Sequence, residues 1–125
     1  MAEQAEHIAR TERSEGTEHH AVPPANVYEA SGQLSVAVPL PGVHREHVAV
    51  TLEPERLQVR ADGKYPQVSQ NYLRHDWHVG SWQLDLSLPR RVDPAGARAT
   101  LNLGVLVVMA PISAAGSASS HPTVE

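Results

Sequence analysis

The alternation of apolar and polar residues constrains this chain more than any other feature. Leu34, Val36, Val38 and Leu40 are separated by Ser35, Ala37 and Pro39. The same spacing returns in Val48, Val50 and Leu52, then in Leu57 and Val59, in Trp82, Leu84, Leu86 and Leu88, and in Ala99, Leu101 and Leu103. A period of two puts one set of side chains on a single face of a strand, and nothing after residue 22 sustains the 3.6-residue apolar period of a helix. Between these runs stand Ser31-Gly32, Pro41-Gly42, Glu53-Pro54-Glu55, Pro89 and Val92-Asp93-Pro94. Such residues favour turns and interrupt strands. Short strands cut by turn chemistry predict an all-β chain folded as an immunoglobulin-like antiparallel β-sandwich.

Three parts are expected. Residues 1–22 are polar and charged, with Ile8 and Val22 as their large aliphatics besides Met1, and form a flexible acidic arm. Residues 23–112, opened by Pro23-Pro24, form the sandwich. Residues 113–125 are small and polar, and are expected to be a flexible tail. Within the sandwich, Pro39 has no amide hydrogen and must lie at a strand end or an unpaired edge. Val105, Leu106, Val107, Val108 and Met109 run without a polar break, which predicts a strand covered on both faces. Gly104 before them marks a tight turn or bulge. A long polar connection begins at Asp62, and residues 71–76 (NYLRHD) inside it have the composition of an isolated short strand.

Charge and composition narrow the function. The net charge is −4, most of it carried by Glu3, Glu6, Glu12, Glu15 and Glu18 against Arg10 and Arg13. The remainder is nearly neutral, so nothing attracts a phosphate backbone and no nucleic-acid partner is expected. There is no Cys, which removes disulfides and thiolate zinc sites. The first residues lack the apolar core of a signal peptide and no apolar run approaches about 20 residues, so a cytoplasmic protein without membrane contact is expected. The pairs His19/His20, His44/His47 and His75/His78 suggest a metal, but they fall in loops or at strand ends without a completing carboxylate cluster. They read as solvated loop histidines, and neither a metal nor another cofactor is expected. Ser31, Ser81 and Ser87 have no activating neighbours, no Gly-x-Ser-x-Gly or phosphate loop occurs, and Glu53 and Glu55 read as solvated turn residues. The chain is not expected to be an enzyme.

Ala99 followed at the right distance by Gly104-Val105-Leu106 resembles the signature of the alpha-crystallin domain of small heat-shock proteins. Further anchors follow in the family's order: Pro23-Pro24 and Tyr28; Leu40-Pro41-Gly42-Val43; Asn71-Tyr72-Leu73-Arg74; Gly80-Ser81-Trp82; Leu88-Pro89; and Val92-Asp93-Pro94. The resemblance covers about residues 23–111. Departures accompany it. Trp82, Leu84 and Leu86 stand where the family carries Phe, Arg and Phe, and Leu103 replaces the usual Asn or Asp before the glycine. The C-terminal Ile-x-Ile/Val anchor is reduced to Val124, with Pro122 where an aliphatic belongs.

The resemblance implies an ATP-independent chaperone, a holdase that binds partly unfolded client proteins and limits their aggregation under stress. It further implies a client groove formed by Val48, Val50, Leu52, Leu101 and Leu103, although Val50 and Leu101 suit a core equally well. Asn71, Tyr72, Leu73 and Arg74 resemble the strand that bacterial and plant relatives exchange between two subunits, pairing near Val27-Tyr28 of the partner. A homodimer or modest homo-oligomer is expected. Two other readings remain: an adaptor like the CS domain of co-chaperones, which binds one specific partner, and a sandwich that binds a carbohydrate or a partner protein.

Overall fold

The computed structural model describes residues 20–63 and 71–125. In chain order the strands are β1 (His20–Ala21), β2 (Asn26–Ala30), β3 (Gln33–Pro39), β4 (Val48–Glu53), β5 (Arg56–Ala61), β6 (Ser81–Ser87), β7 (Arg98–Asn102) and β8 (Val105–Pro111). One sheet has the order β1-β6-β5-β4 and the other β2-β3-β8-β7. Every pairing is antiparallel except that of β1 with β6, which is parallel. The expected all-β sandwich is what the chain forms. The acidic arm of residues 1–22 lies outside the described residues except for its last three.

The alternating runs supply the core as their period requires. Val36 and Val38 of β3 face Val108 and Leu106 of β8 in register, and all four are buried. Leu57 and Val59 of β5 and Trp82 and Leu84 of β6 cover them from the other sheet. The position where the family carries Arg is thus a core leucine here, with Leu84 buried. The expectation of a β8 covered on both faces is corrected. Leu106, Val108 and Ala110 are buried, while Val107 and Met109 are half-buried and Val105 is exposed. A two-layer sandwich leaves each sheet an outer face, even at a central strand.

Turn chemistry fixes the registers. Asn102 pairs with Val105, leaving Leu103-Gly104 as a two-residue hairpin loop with φ of 55° and 79°. Both residues of this turn type need positive φ. Glycine adopts it freely; for leucine it costs about 1–2 kcal/mol. Pro39 ends β3, and the next amide, of Leu40, donates to the Gly104 carbonyl at 2.7 Å. On the outer face of the β5–β6 pair, Arg56 Nε donates to Asp85 at 2.8 Å. This hydrogen bond from Arg56 holds the Asp85 carboxyl below the usual carboxylate range and raises Arg56 in turn.

Residues 71–76 form no strand; they run irregularly over the surface. Strand-forming residues still need an edge to hydrogen-bond with, and this segment pairs with none among the described residues. It is held locally, by Tyr72 stacked on His75 with ring centroids 4.5 Å apart and by an Arg74–Asp76 ion pair at 2.8 Å.

Candidate functional site

On one side of the sandwich the edge strands are β4 and β7, one from each sheet. Their outward backbone groups are a template for another extended segment. Residues 120–125 take that place. Leu52 and Ser120 exchange both backbone hydrogen bonds, at 2.9 and 2.8 Å, as an antiparallel bridge. Further along, Glu125 donates to the Ala99 carbonyl at 3.0 Å and accepts from the Leu101 amide at 2.9 Å, with Val124 beside Ala99 in a parallel bridge. The tail therefore spans the groove, antiparallel to one edge and parallel to the other. Along it Pro122 is half-buried and Val124 buried, while His121, Thr123 and Glu125 are exposed. Thr51 Oγ1 meets His121 Nδ1 at 3.2 Å.

The expectation of a free tail is corrected here. The polar composition of residues 113–125 conceals a period-2 pair, Pro122 and Val124, which enters the groove as a short strand would. Its hold is modest. Backbone hydrogen bonds contribute about 1 kcal/mol each, and burying one valine about 2 kcal/mol. Ordering each residue costs about 1–2 kcal/mol. Over residues 120–125 these terms are of similar size, so the tail is held marginally. Nor does it fill the space. A cavity of about 500 Å³ remains between Arg45, Glu46, Val48, Ala49 and Val50 and the tail. A second, of about 380 Å³, lies beside it under Leu101, Leu103 and Val43 and shares Arg45 and Glu46.

The tail is also gripped upstream. Ser113 donates to the Arg91 carbonyl at 2.9 Å, and Val92 bridges Ile112. The Arg91 guanidinium donates to the Gly116 carbonyl at 2.8 Å and to Glu55 at 2.5 Å. Gly116 is buried, and a Cβ there would stand 2.2 Å from the Val92 carbonyl oxygen. Sequence reading passed over Arg91 and Gly116 and took Glu55 for a solvated turn residue. None of them belongs to a periodic run, and Glu55 carries this ion pair.

The five residues expected to line a groove divide. Val50 and Leu52 are core residues, so Leu52 serves the groove through its backbone and not its side chain. Val48 and Leu101 are half-buried at the two lips. Leu103, 95% exposed at the hairpin tip, borders the second cavity at its outer rim. Of the exchange-strand candidates, Asn71, Tyr72, Leu73 and Arg74 all lie in solvent, and Leu73 is 96% exposed. His19 lies outside the described residues, and the described histidines do not converge. His44 and His47 meet edge to face at 6.2 Å and are exposed, whereas His78 is buried against Trp82 with Nε2 2.6 Å from the Ser81 carbonyl oxygen. That position corrects the reading of His78 as a solvated loop residue. Among the described residues, no group of three or more His, Asp or Glu side chains gathers as a metal ion requires.

An edge groove that binds an extended C-terminal segment is the architecture the sequence resemblance implies, and comparison with known proteins bears on it directly. Residues 26–125 match the Hsp20/alpha crystallin family, through the tail and its groove. The chain belongs to that family. It is similar to small heat shock protein C2 of Rickettsia felis, 24% identical over 100 residues, which are 78% of this chain and 65% of the relative. It is also similar to the chloroplastic 26.7 kDa heat shock protein of Oryza sativa subsp. japonica, 30% identical over 70% of this chain and 39% of that one. The chain thus spans less than two thirds of the length of these Hsp20 relatives. Among solved structures it resembles a small heat-shock protein from Xylella fastidiosa, with a TM-score of 0.63 and 26% identity over 78% of this chain and 91% of that one. Among the described residues no helix is long and apolar enough to cross a membrane.

Proposed function

We propose that this Hsp20-family chain is an ATP-independent holdase of the cytoplasm, which binds partly unfolded proteins and limits their aggregation. The observation that carries the reading is the pair of sheet edges at β4 and β7. These edges bind an extended segment through backbone hydrogen bonds while the groove beside it stays partly empty. Recognition through backbone groups is indifferent to sequence, which suits a protein with many clients. The lips are Val48 and Leu101, and an unfolded segment enters where residues 120–125 leave.

The working unit in this proposal is a homodimer. β2 is the outer strand of its sheet, with Tyr28 half exposed, and Tyr72, Leu73 and Trp77 project from the loop before β6. Residues 71–74 of one subunit pair with β2 of the other, which gives the segment a strand edge it does not find among the described residues of its own chain.

The test is light scattering of an unrelated heat-labile enzyme, warmed with and without this protein and without ATP. Suppression at near-stoichiometric ratio is the expected result. No suppression by the folded protein, together with tight binding of a single partner, would replace the holdase with the adaptor reading.

A further inference from the structure

We infer that Arg91 and Gly116 form a clasp that commits the tail to the groove of its own chain, so that the protein closes its β4–β7 side without a second copy. A tail that enters a groove can come from the same chain or from a neighbour, and the groove's hydrogen bonds are the same in both cases. What distinguishes the two is the path that leads to it. In this chain the path is fixed. Ile112 and Ser113 are paired to Val92 and Arg91, Gly116 is seated on the backbone of Val92 and Asp93, and Arg91 closes over the Gly116 carbonyl. Glu55, at the β4–β5 turn, orients Arg91 by an ion pair at 2.5 Å.

With Gly116 seated, only residues 117–119 link the clasp to Ser120. A short link keeps the effective concentration of the tail at its own groove high, in the millimolar range by the general behaviour of short tethers, so a neighbour's tail competes poorly. Any side chain at 116 removes this advantage, because its Cβ collides with main chain, which has no rotamer to give way. Opening the clasp lengthens the free link and lowers the cis advantage. The groove then becomes available to the tail of a second copy, and heterologous contacts of that kind propagate from chain to chain. The inference concerns where the tail goes, and it stands or falls independently of whether the groove holds clients.

The absence of cysteine makes the test direct. Leu52 and Ser120 exchange both hydrogen bonds, so Thr51 and His121 are the next, closely spaced pair, within disulfide reach. The full chain carrying Thr51→Cys and His121→Cys is oxidised and run on a denaturing gel without reductant. We expect an intramolecular bond, seen as a monomer of altered mobility at every protein concentration. Adding Gly116→Ala, or separately Arg91→Ala, should raise the fraction of covalently joined chains several-fold, increasingly at high concentration. Arg91 is exposed, so its variant keeps the experiment decisive if the glycine variant does not fold. Joined chains already in the parent, no disulfide in the parent, or intramolecular bonds unchanged in the folded clasp variants would each overturn the inference.

Discussion

The two sides of this sandwich present the same problem and meet it differently. At β4 and β7 the edges are covered by residues 120–125 of the same chain, with four backbone hydrogen bonds and a buried valine. On the other side β2 ends its sheet, and the exposed Tyr72, Leu73 and Trp77 are carried on a loop with local contacts such as Tyr72 stacked on His75. A covered edge is protected against association, and an open one invites it. This contrast is what the proposed association through β2 and the proposed clasp on the groove side draw on.

Removing residues 72–74 tests the open side and has the largest expected effect. The mass in solution, measured by light scattering after gel filtration, should fall from dimer to monomer with the sandwich intact. Dimers that survive the deletion would end the exchange proposal. On the closed side, Val124→Asp places a charge in a buried position and should release the tail. Amide exchange at Leu52 and Leu101, which donate to the tail, should then accelerate about tenfold or more while the amides of β5 keep their protection. Equal protection in parent and variant would mean that the tail does not cover these edges in solution. The smallest effect belongs to the rim of the closed side. Leu103→Asn relieves a leucine held at positive φ and almost fully exposed, and should raise stability by about 0.5–1 kcal/mol in thermal unfolding. A loss of stability would show that Leu103 packs on something in solution.

Much of the fold was legible because period-2 patterning and turn residues report on local geometry. Pro39 falls at a strand end and Gly104 lies in a hairpin turn, as their chemistry required, whereas Leu103 completes that turn against its own preference. The site was legible only in part. Val48 and Leu101 do flank the groove, but Leu52 could not be told from a core residue, since a strand at a sheet edge alternates just as an internal strand does. Residues 113–125 misled because small and polar residues read as unstructured, while their order comes from docking onto strands distant in sequence. Gly116 carried no signal at all. A glycine required for close approach of two backbones looks the same in sequence as one in a linker.

The bridging position of the tail also has a kinetic meaning. Its partners at Leu52 and Ala99 lie on different sheets, so the docking surface exists only after the two layers have stacked. Docking across both sheets should thus come late in folding, after the loop-closure entropy of the sandwich has been overcome. During refolding there is therefore an interval in which sandwiches are assembled and tails still unbound. In dilute solution each tail finds its own groove during that interval. In concentrated solution the seated clasp should still keep each tail at its own groove, so only chains whose clasp is opened should carry a memory of how they were refolded.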